Sequence, residues 1–511
     1  MTAAAIPVPN ERGLFGHPKG LALLFAVEMW ERFSYYGMRA LLVLYLVNGL
    51  GWTDGNASRL YGTYTSLVWL TPIIGGYLAD RFLGTRRSMI IGALVITTGH
   101  FLLALQTMAS FYAGHACVII GTGFFKPNVS TQVGQLYKPG DRRRDAGFTI
   151  FYMGINLGAT IAPIVCGYLG ERIGWHFGFG AAGVGMLFGL LLYLRFRAQL
   201  LPGIGLPPTA EERAARQQIE AAGPNNTRLG VIGAVVGALV VWLGGGANVD
   251  IGGWIAGGGW VQLILGVCVG AAMSISILGT SGEERKRVIA LFIVTFFVVF
   301  FWMAFEQAGS SMNIFADRYT NRAVGSFSIP ASWFQSVNAS FIILCAPLVA
   351  WLWRALAARN REPSTSLKMV IGLFLVGLGF VFMALGSGAP DACVAQVGAD
   401  AARDQCRIAS PMWLVVAYLM HSLGELAVSP VGLSYVTKIA PVRLVSMLMG
   451  VFFLSNAVAN YLGGILAAQT ENIATQKAFF SIPVVTSWAA ALLMLALLPV
   501  LRNLTRSAKE S

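Results

Sequence analysis

The segment FAVEMWERFSYYGMRALL sets Glu28, Glu31, Arg32 and Arg39 in an otherwise apolar run. At 100° per residue these four and Tyr35 share a sector of about 100°, with Tyr36 beside it. The stripe extends about 16 Å along the helix axis, half a membrane. A charge inside a spanning helix costs a few kcal/mol by insertion scales, so such a stripe lines a polar cavity or pairs internally. Glu28 and Arg32 form an i,i+4 pair, so some neutralisation is expected. Apolar residues would serve a purely structural role more safely. The chemistry on offer is recognition of a charged solute and proton exchange, because a carboxylate's proton affinity depends on burial and on nearby cations.

Three further ionisable residues interrupt apolar stretches. Lys126, in GTGFFKPNVSTQVG, precedes Pro127, which frees backbone carbonyls. Its mid-span position strains the alternative of snorkelling to an interface. Glu306 falls near the middle of its span in FWMAFEQAGSSMNIFAD, and Glu425 precedes Pro430 in HSLGELAVSPVGLS. Neither acid has a cation nearby in sequence, and the alternative for each is a hydrogen-bonded core acid. Asn156 and Asn338 are weaker signals, since a buried Asn often only joins helices. His100 and His115 read as polar packing residues.

The charges divide unevenly. The first half buries Arg32, Arg39 and Lys126 against Glu28 and Glu31, whereas the second half buries Glu306 and Glu425 without a buried cation. A solute between the halves would meet a positive wall and a negative wall, which suits a zwitterion. A dipeptide's termini are about 5–7 Å apart. The first helix of each half carries aromatics around an acid, and the fourth carries one charge before a Pro. Interrupted helices in corresponding positions point to a transporter's central site.

The elements that must position these residues are membrane spans. The chain has 511 residues, 56% hydrophobic and 12% charged, against about 25% charged in soluble proteins. That excludes an ordinary soluble enzyme, a disordered chain and a disulfide scaffold. Spans are expected at 20–49, 57–81, 87–109, 112–137, 146–169, 174–196, 229–246, 252–279, 287–316, 331–355, 367–388, 410–438, 443–468 and 478–502. The fold class is therefore an all-α membrane protein. Residues 1–196 form an N-terminal six-helix bundle and 197–286 a cytoplasmic linker with an inserted hairpin. Residues 287–511 form a C-terminal six-helix bundle.

The net charge of +13 falls in alternate loops, which is the positive-inside pattern and not a nucleic-acid surface. Both termini are expected in the cytoplasm, and no cleavable leader is expected in residues 1–19. Cys117, Cys166, Cys268 and Cys345 lie in spans as packing residues. Cys393 and Cys406 share an extracytoplasmic loop and have only each other to bridge with. No metal-ligand spacing, nucleophile elbow or phosphate loop is present, so neither an enzyme nor a cofactor is expected.

At this point the motifs resemble a known family. GGYLADRFLGTRR resembles the signature loop of the major facilitator superfamily, with Asp80 and Arg87 as its acid and final base. Glu28-x-x-Glu31-Arg32-Phe33 with Tyr35-Tyr36 resembles the ExxERFxYY motif of proton-dependent oligopeptide transporters. Phe151-Tyr152-x-x-Ile155-Asn156-x-Gly158 is similar to their FYxxINxG signature, and Phe301-Trp302 through Glu306-Gln307 to their seventh-helix motif. The bacterial members carry the inserted hairpin. Three positions depart or vary. Asn338-Ala339 stands for Asn-Pro, Phe452 for a Trp in the eleventh helix, and Trp69 for the usual second-helix Tyr.

The resemblance implies a proton-coupled symporter of di- and tripeptides in a bacterial inner membrane, acting as a monomer in the lipid bilayer by alternating access. It implies that Arg32, Lys126 and Tyr36 meet the peptide carboxylate, and that Glu425, Asn156 and Asn338 meet its amine. Glu306 would take the proton and pair with Arg39. Glu28 and Glu31 would exchange partners with Lys126. The alternatives are a same-family carrier of nitrate or another small anion, and a peptide receptor that moves nothing.

Overall fold

The computed structural model describes residues 13–138, 140–214, 226–246, 259–398, 405–441 and 444–506. Six long helices come first: α1 (Gly20–Leu44), α2 (Asp54–Leu78), α3 (Gly84–Leu103), α4 (Met108–Gln135), α5 (Arg144–Tyr168) and α6 (Trp175–Leu200). A hairpin follows, α7 (Asn226–Val241) and α8 (Trp260–Met273). The second half holds α9 (Gly282–Phe305), a short α10 (Ser311–Arg318), α11 (Gln335–Ala357), α12 (Thr365–Gly386), a short α13 (Gly388–Val397), α14 (Met412–Ile439), α15 (Val445–Ala468) and α16 (Gln476–Leu504). A two-residue β-hairpin, Ala323–Val324 with Phe327–Ser328, is a small exception to the all-α expectation.

Among the described residues, 11 helices are long and apolar enough to cross a membrane. The helices α1, α2 and α3 are long enough but more polar. At 25 residues, α1 spans about 37 Å, more than the roughly 30 Å hydrocarbon core. With these three, the helices match the spans read from sequence. Local chemistry sets their starts. Thr53 Oγ1 caps α2 by accepting from Asn56 N at 3.3 Å, and Thr107 and Ser110 form a reciprocal capping box on α4.

Packing uses close backbone approach. In the hairpin, Gly233 and Gly237 of α7 face Gly266 and Gly270 of α8, a small-xxx-small contact on both helices. Val261 and Leu265 of α8 then pack with Leu70 of α2 and with Leu454, Ala457 and Tyr461 of α15. The halves meet where α2 crosses α15. A Cβ built on Gly62 would lie 2.6 Å from Gly464 Cα, so neither position has room for a side chain. Aromatic side chains fill the interior of the second half, with Phe297, Phe301, Phe380, Tyr418 and Phe480 in one cluster.

Several expectations need correction or limits. Glu306 lies inside the span Gly282–Arg318, but at a break in it: α9 ends at Phe305, and Glu306–Gly309 form a tight turn before α10. The Glu306 carboxylate reaches Arg39 of the first half. The second half does bury a cation, Lys368, which is 8% exposed and pairs with Glu362 at 2.5 Å. In the linker, Thr209 and Glu212 cap each other, and residues 215–225 lie outside the described ones. The hairpin's second helix starts at Trp260, and 252–258 lie outside the described residues, as do both terminal stretches, 1–12 and 507–511.

Cys393 and Cys406 are bridged, with Cα atoms 5.7 Å apart. The bond ties the middle of α13 to the segment before α14, across residues 399–404, which lie outside the described ones. Of the other cysteines, Cys166 is buried and Cys117, Cys268 and Cys345 are half-buried. Replacing both bridged cysteines with serine should remove about 3 kcal/mol of local stabilisation while leaving uptake unchanged. Thermal unfolding of the non-reduced protein and uptake by vesicles measure the two halves of that expectation. Lost uptake in a folded variant would refute a purely structural bridge.

Candidate functional site

A cavity of about 210 Å³ lies between the halves, lined by α1, α2, α4 and α5 on one wall and α9, α11, α14 and α15 on the other. Arg32 reaches the wall but is held from behind. It donates to both oxygens of Glu31, one at 2.7 Å, and stands 3.2 Å from Glu28 Oε1. Glu31 is only 1% exposed and sits behind the cavity, whereas Glu28 lines it. Glu28 Oε2 has no hydrogen-bond partner.

Lys126 behaves differently. Its Nζ sits 3.1 Å from the centroid of the Trp69 ring, a cation–π contact strengthened by burial. Trp69 stacks in turn on Phe453 of α15, with centroids 6.2 Å apart. Among the described residues no carboxylate lies within ion-pair distance of Lys126. The expected pairing with Glu28 or Glu31 is therefore not made in this conformation, because Arg32 holds both acids.

Arg39 bridges the halves. Its Nη2 meets Glu306 Oε2 at 2.6 Å, and its Nε donates to Tyr61 OH at 2.6 Å. The guanidinium also lies over the rings of Tyr36 and Tyr61. Beyond this pair, toward the end where α1 finishes and α2 begins, further contacts seal the halves. Asn48 donates to Asp317 at 2.9 Å, and Gly55 N donates to Glu471 at 2.6 Å. Arg318 grips both oxygens of Asp54. Glu171 accepts from the backbone N–H groups of Ala331 and Ser332 at 2.8 and 2.9 Å.

On the opposite wall Glu425 is held, among the described residues, by neutral groups only. Tyr152 OH donates to Oε1 at 3.4 Å across the halves, and Asn338 Nδ2 donates to Oε2 at 3.3 Å. Asn338 also donates to Ser422 Oγ at 2.9 Å, so it positions the carboxylate without a proline beside it. Asn156 lines the cavity and donates to Tyr152 O of its own helix at 3.0 Å. After internal pairing, one cation and one acid lining the cavity lack an ionic partner among the described residues: Lys126 on the first wall and Glu425 on the second.

Sequence reasoning passed over Tyr61, Ser422, His421 and Asn456. Tyr61 carries no signal beyond being a buried tyrosine. Asn456 lines the cavity, is 3% exposed and has an unpartnered Oδ1. A polar residue four positions after Phe452 on the same helical face could have flagged it. Asp80 and Arg87 do not join the site. Both are exposed at the turn between α2 and α3, where Arg86 is the residue that donates to Leu201 O at 2.5 Å.

A POT family model matches residues 86–198 and 264–485. The chain belongs to the POT family. It is 37% identical to a peptide transporter of Yersinia enterocolitica, over 97% of this chain and 96% of that one. It is 35% identical to a di-/tripeptide transporter of Lactococcus lactis, over 93% of each. A crystal structure of a peptide transporter POT in complex with sulfate superposes with a TM-score of 0.80, at 36% identity and 98% coverage of both chains. This POT-family chain is thus a multi-pass membrane protein of the major facilitator fold, and the family is one of transporters and not enzymes.

For a POT-family site, the isolation of Glu425 has a direct consequence. Glu425→Gln should weaken dipeptide binding by at least tenfold while changing the affinity for amino-blocked analogues little. Competition binding to purified protein measures both. Equal losses for the two ligands would remove Glu425 from amine recognition.

Proposed function

We propose that this chain is a proton-coupled symporter that imports di- and tripeptides by alternating access. The observation that carries the reading is the facing pair of unneutralised charges, Lys126 and Glu425, on opposite cavity walls. A zwitterion satisfies both at once, whereas nitrate or another small anion leaves Glu425 uncompensated. The Yersinia relative is a peptide transporter and the Lactococcus relative a di-/tripeptide transporter, which supports the same substrate class.

In this reading the peptide carboxylate lies near Lys126, Arg32 and Tyr36, with Trp69 and Arg39 beside it. The amine meets Glu425, aided by Asn338 and Asn156. Glu306 carries the transported proton and exchanges it with its hold on Arg39. Glu28 and Glu31 couple to the substrate through Arg32 and, in another conformation, through Lys126. Asp80 and Arg87 act in the conformational change at the surface. Residues 1–196 and 287–511 move as two bundles, with 197–286 accommodating the motion. The sealed end is extracytoplasmic, the termini are cytoplasmic, and the monomer in a bacterial inner membrane is the working unit.

Purified protein in vesicles tests this. An imposed inward proton gradient should drive a labelled dipeptide above its equilibrium level, and an uncoupler should collapse the accumulation. Gradient-driven nitrate uptake without dipeptide uptake would overturn the substrate. Saturable dipeptide binding without any uptake would favour a receptor.

A further inference from the structure

The ammonium of Lys126 rests on a ring, and the fold fixes that ring from two sides. Within the first half, α2 and α4 are in close contact. A Cβ built on Gly123 would lie 2.8 Å from Thr71 Cβ, and Thr71 Oγ1 donates to Ile119 O at 2.8 Å. Trp69 stands two residues before Thr71, and Lys126 three residues after Gly123. Helical side chains lean toward the N-terminus of their helix, so the long Lys126 side chain reaches back over the indole. The 3.1 Å between Nζ and the ring centroid is therefore set by a tightly packed pair of helices. From the second half, Phe453 stacks on Trp69 at an interplanar angle of 24°. Trp69 also packs against the cluster that holds Leu454 and Ala457 of α15.

An aromatic face attracts an ammonium through its quadrupole and carries no net charge of its own, and the indole is the best such face. A carboxylate partner would instead cancel the charge and leave little for a ligand. Such a partner is at hand. Glu28 lines the same cavity, and its Oε2 has no hydrogen-bond partner. Arg32 stands at the other oxygen, 3.2 Å from Oε1. An ammonium released from the ring has this acid to pair with. One held on the ring keeps its charge, and the donors that face away from the ring, for a substrate carboxylate.

We propose that Trp69 is the positioning residue for the carboxylate end of the substrate: its ring holds Lys126 away from Glu28 and presents the ammonium to the peptide carboxylate. The proposal rests on the peptide reading above. Phe453 seats the ring from the second half, so a parting of α2 and α15 at that level removes the seat. Lys126 then passes from Trp69 to Glu28. The partner of the cation thus follows the arrangement of the halves.

Site-specific replacement of Trp69 by mono-, di- and trifluorotryptophan tests this, because fluorine changes the shape little and weakens the negative face stepwise. Dipeptide affinity of the purified protein should fall in steps, by at least tenfold at the trifluoro ring. A dipeptide amidated at its C-terminus makes no use of Lys126, so its affinity should change little. Glu28→Gln removes the competing acid and should flatten the steps. Phe453→Leu unseats the ring and should lower dipeptide affinity with the same selectivity. A constant affinity across the fluorinated series, an equal fall for the amidated analogue, or steps undiminished by Glu28→Gln in a folded protein overturns the proposal. The melting temperature of the ligand-free protein reads the hold on Lys126 without any substrate. It should fall along the series, and not in a Lys126→Met background. That pattern in a protein that binds no dipeptide supports the hold and leaves only the peptide reading in error, whereas a melting temperature indifferent to fluorination overturns the hold itself.

Discussion

Glu306→Gln should abolish proton-driven accumulation of dipeptide while leaving counterflow exchange measurable, because exchange needs no net proton movement. The structure adds a second expected effect. The pair between Arg39 and Glu306 joins the two halves at 2.6 Å, and both residues are buried. Breaking a buried pair by removing one partner costs about 3–5 kcal/mol. Here the cost falls on the conformation in which the halves touch, so the population should shift toward the opposite opening by roughly two to four orders of magnitude. Labelling of cysteines placed near Asn48 and Asp317 would report the shift, and vesicle uptake the lost coupling. Intact gradient-driven accumulation would remove Glu306 from proton transfer.

The second large effect is expected at Arg32. This guanidinium compensates Glu28 and Glu31 together, and Arg32→Gln leaves two carboxylates close together in a buried site. Destabilisation of about 3–5 kcal/mol should follow, with uptake lost. The double variant Glu31→Gln with Arg32→Gln removes one charge of each sign. It should regain much of the thermal stability, yet remain inactive if Arg32 contributes directly to substrate binding. Recovery of both stability and uptake in the double variant would make the pair structural only.

The spans were legible because apolar length is a local property, and so was the stripe on α1, because helical periodicity places its members on one face. The pairing of Cys393 with Cys406 was legible by elimination among loop cysteines. Partner choice across helices was legible only through family motifs. The hold of Arg39 on Glu306 spans 267 positions, and nothing local to either residue implies the other. The position of Lys126 on Trp69 was missed for another reason. Charge counting considers only ionic partners, whereas a buried ammonium can rest on an aromatic face. The break after Phe305 went unseen because FEQAGSSMN carries no proline to mark it.

The contact between Gly62 and Gly464 bears on how the two halves can move. Gly62 lies eight residues into α2, about 12 Å from its start, and Gly464 lies four residues before the end of α15, so the contact sits in the third of both helices nearer the sealed end. Points close to a rotation axis travel least, so backbones that touch here can stay in touch while the helix ends swing apart. With the fulcrum nearer the sealed end, one small rotation moves the far mouth through a longer arc than the sealed one. The two mouths are then unequal arms of one lever, so a small opening at the sealed end accompanies a larger closing at the other. A side chain added at either glycine would act as a wedge at the fulcrum and shift both mouths together.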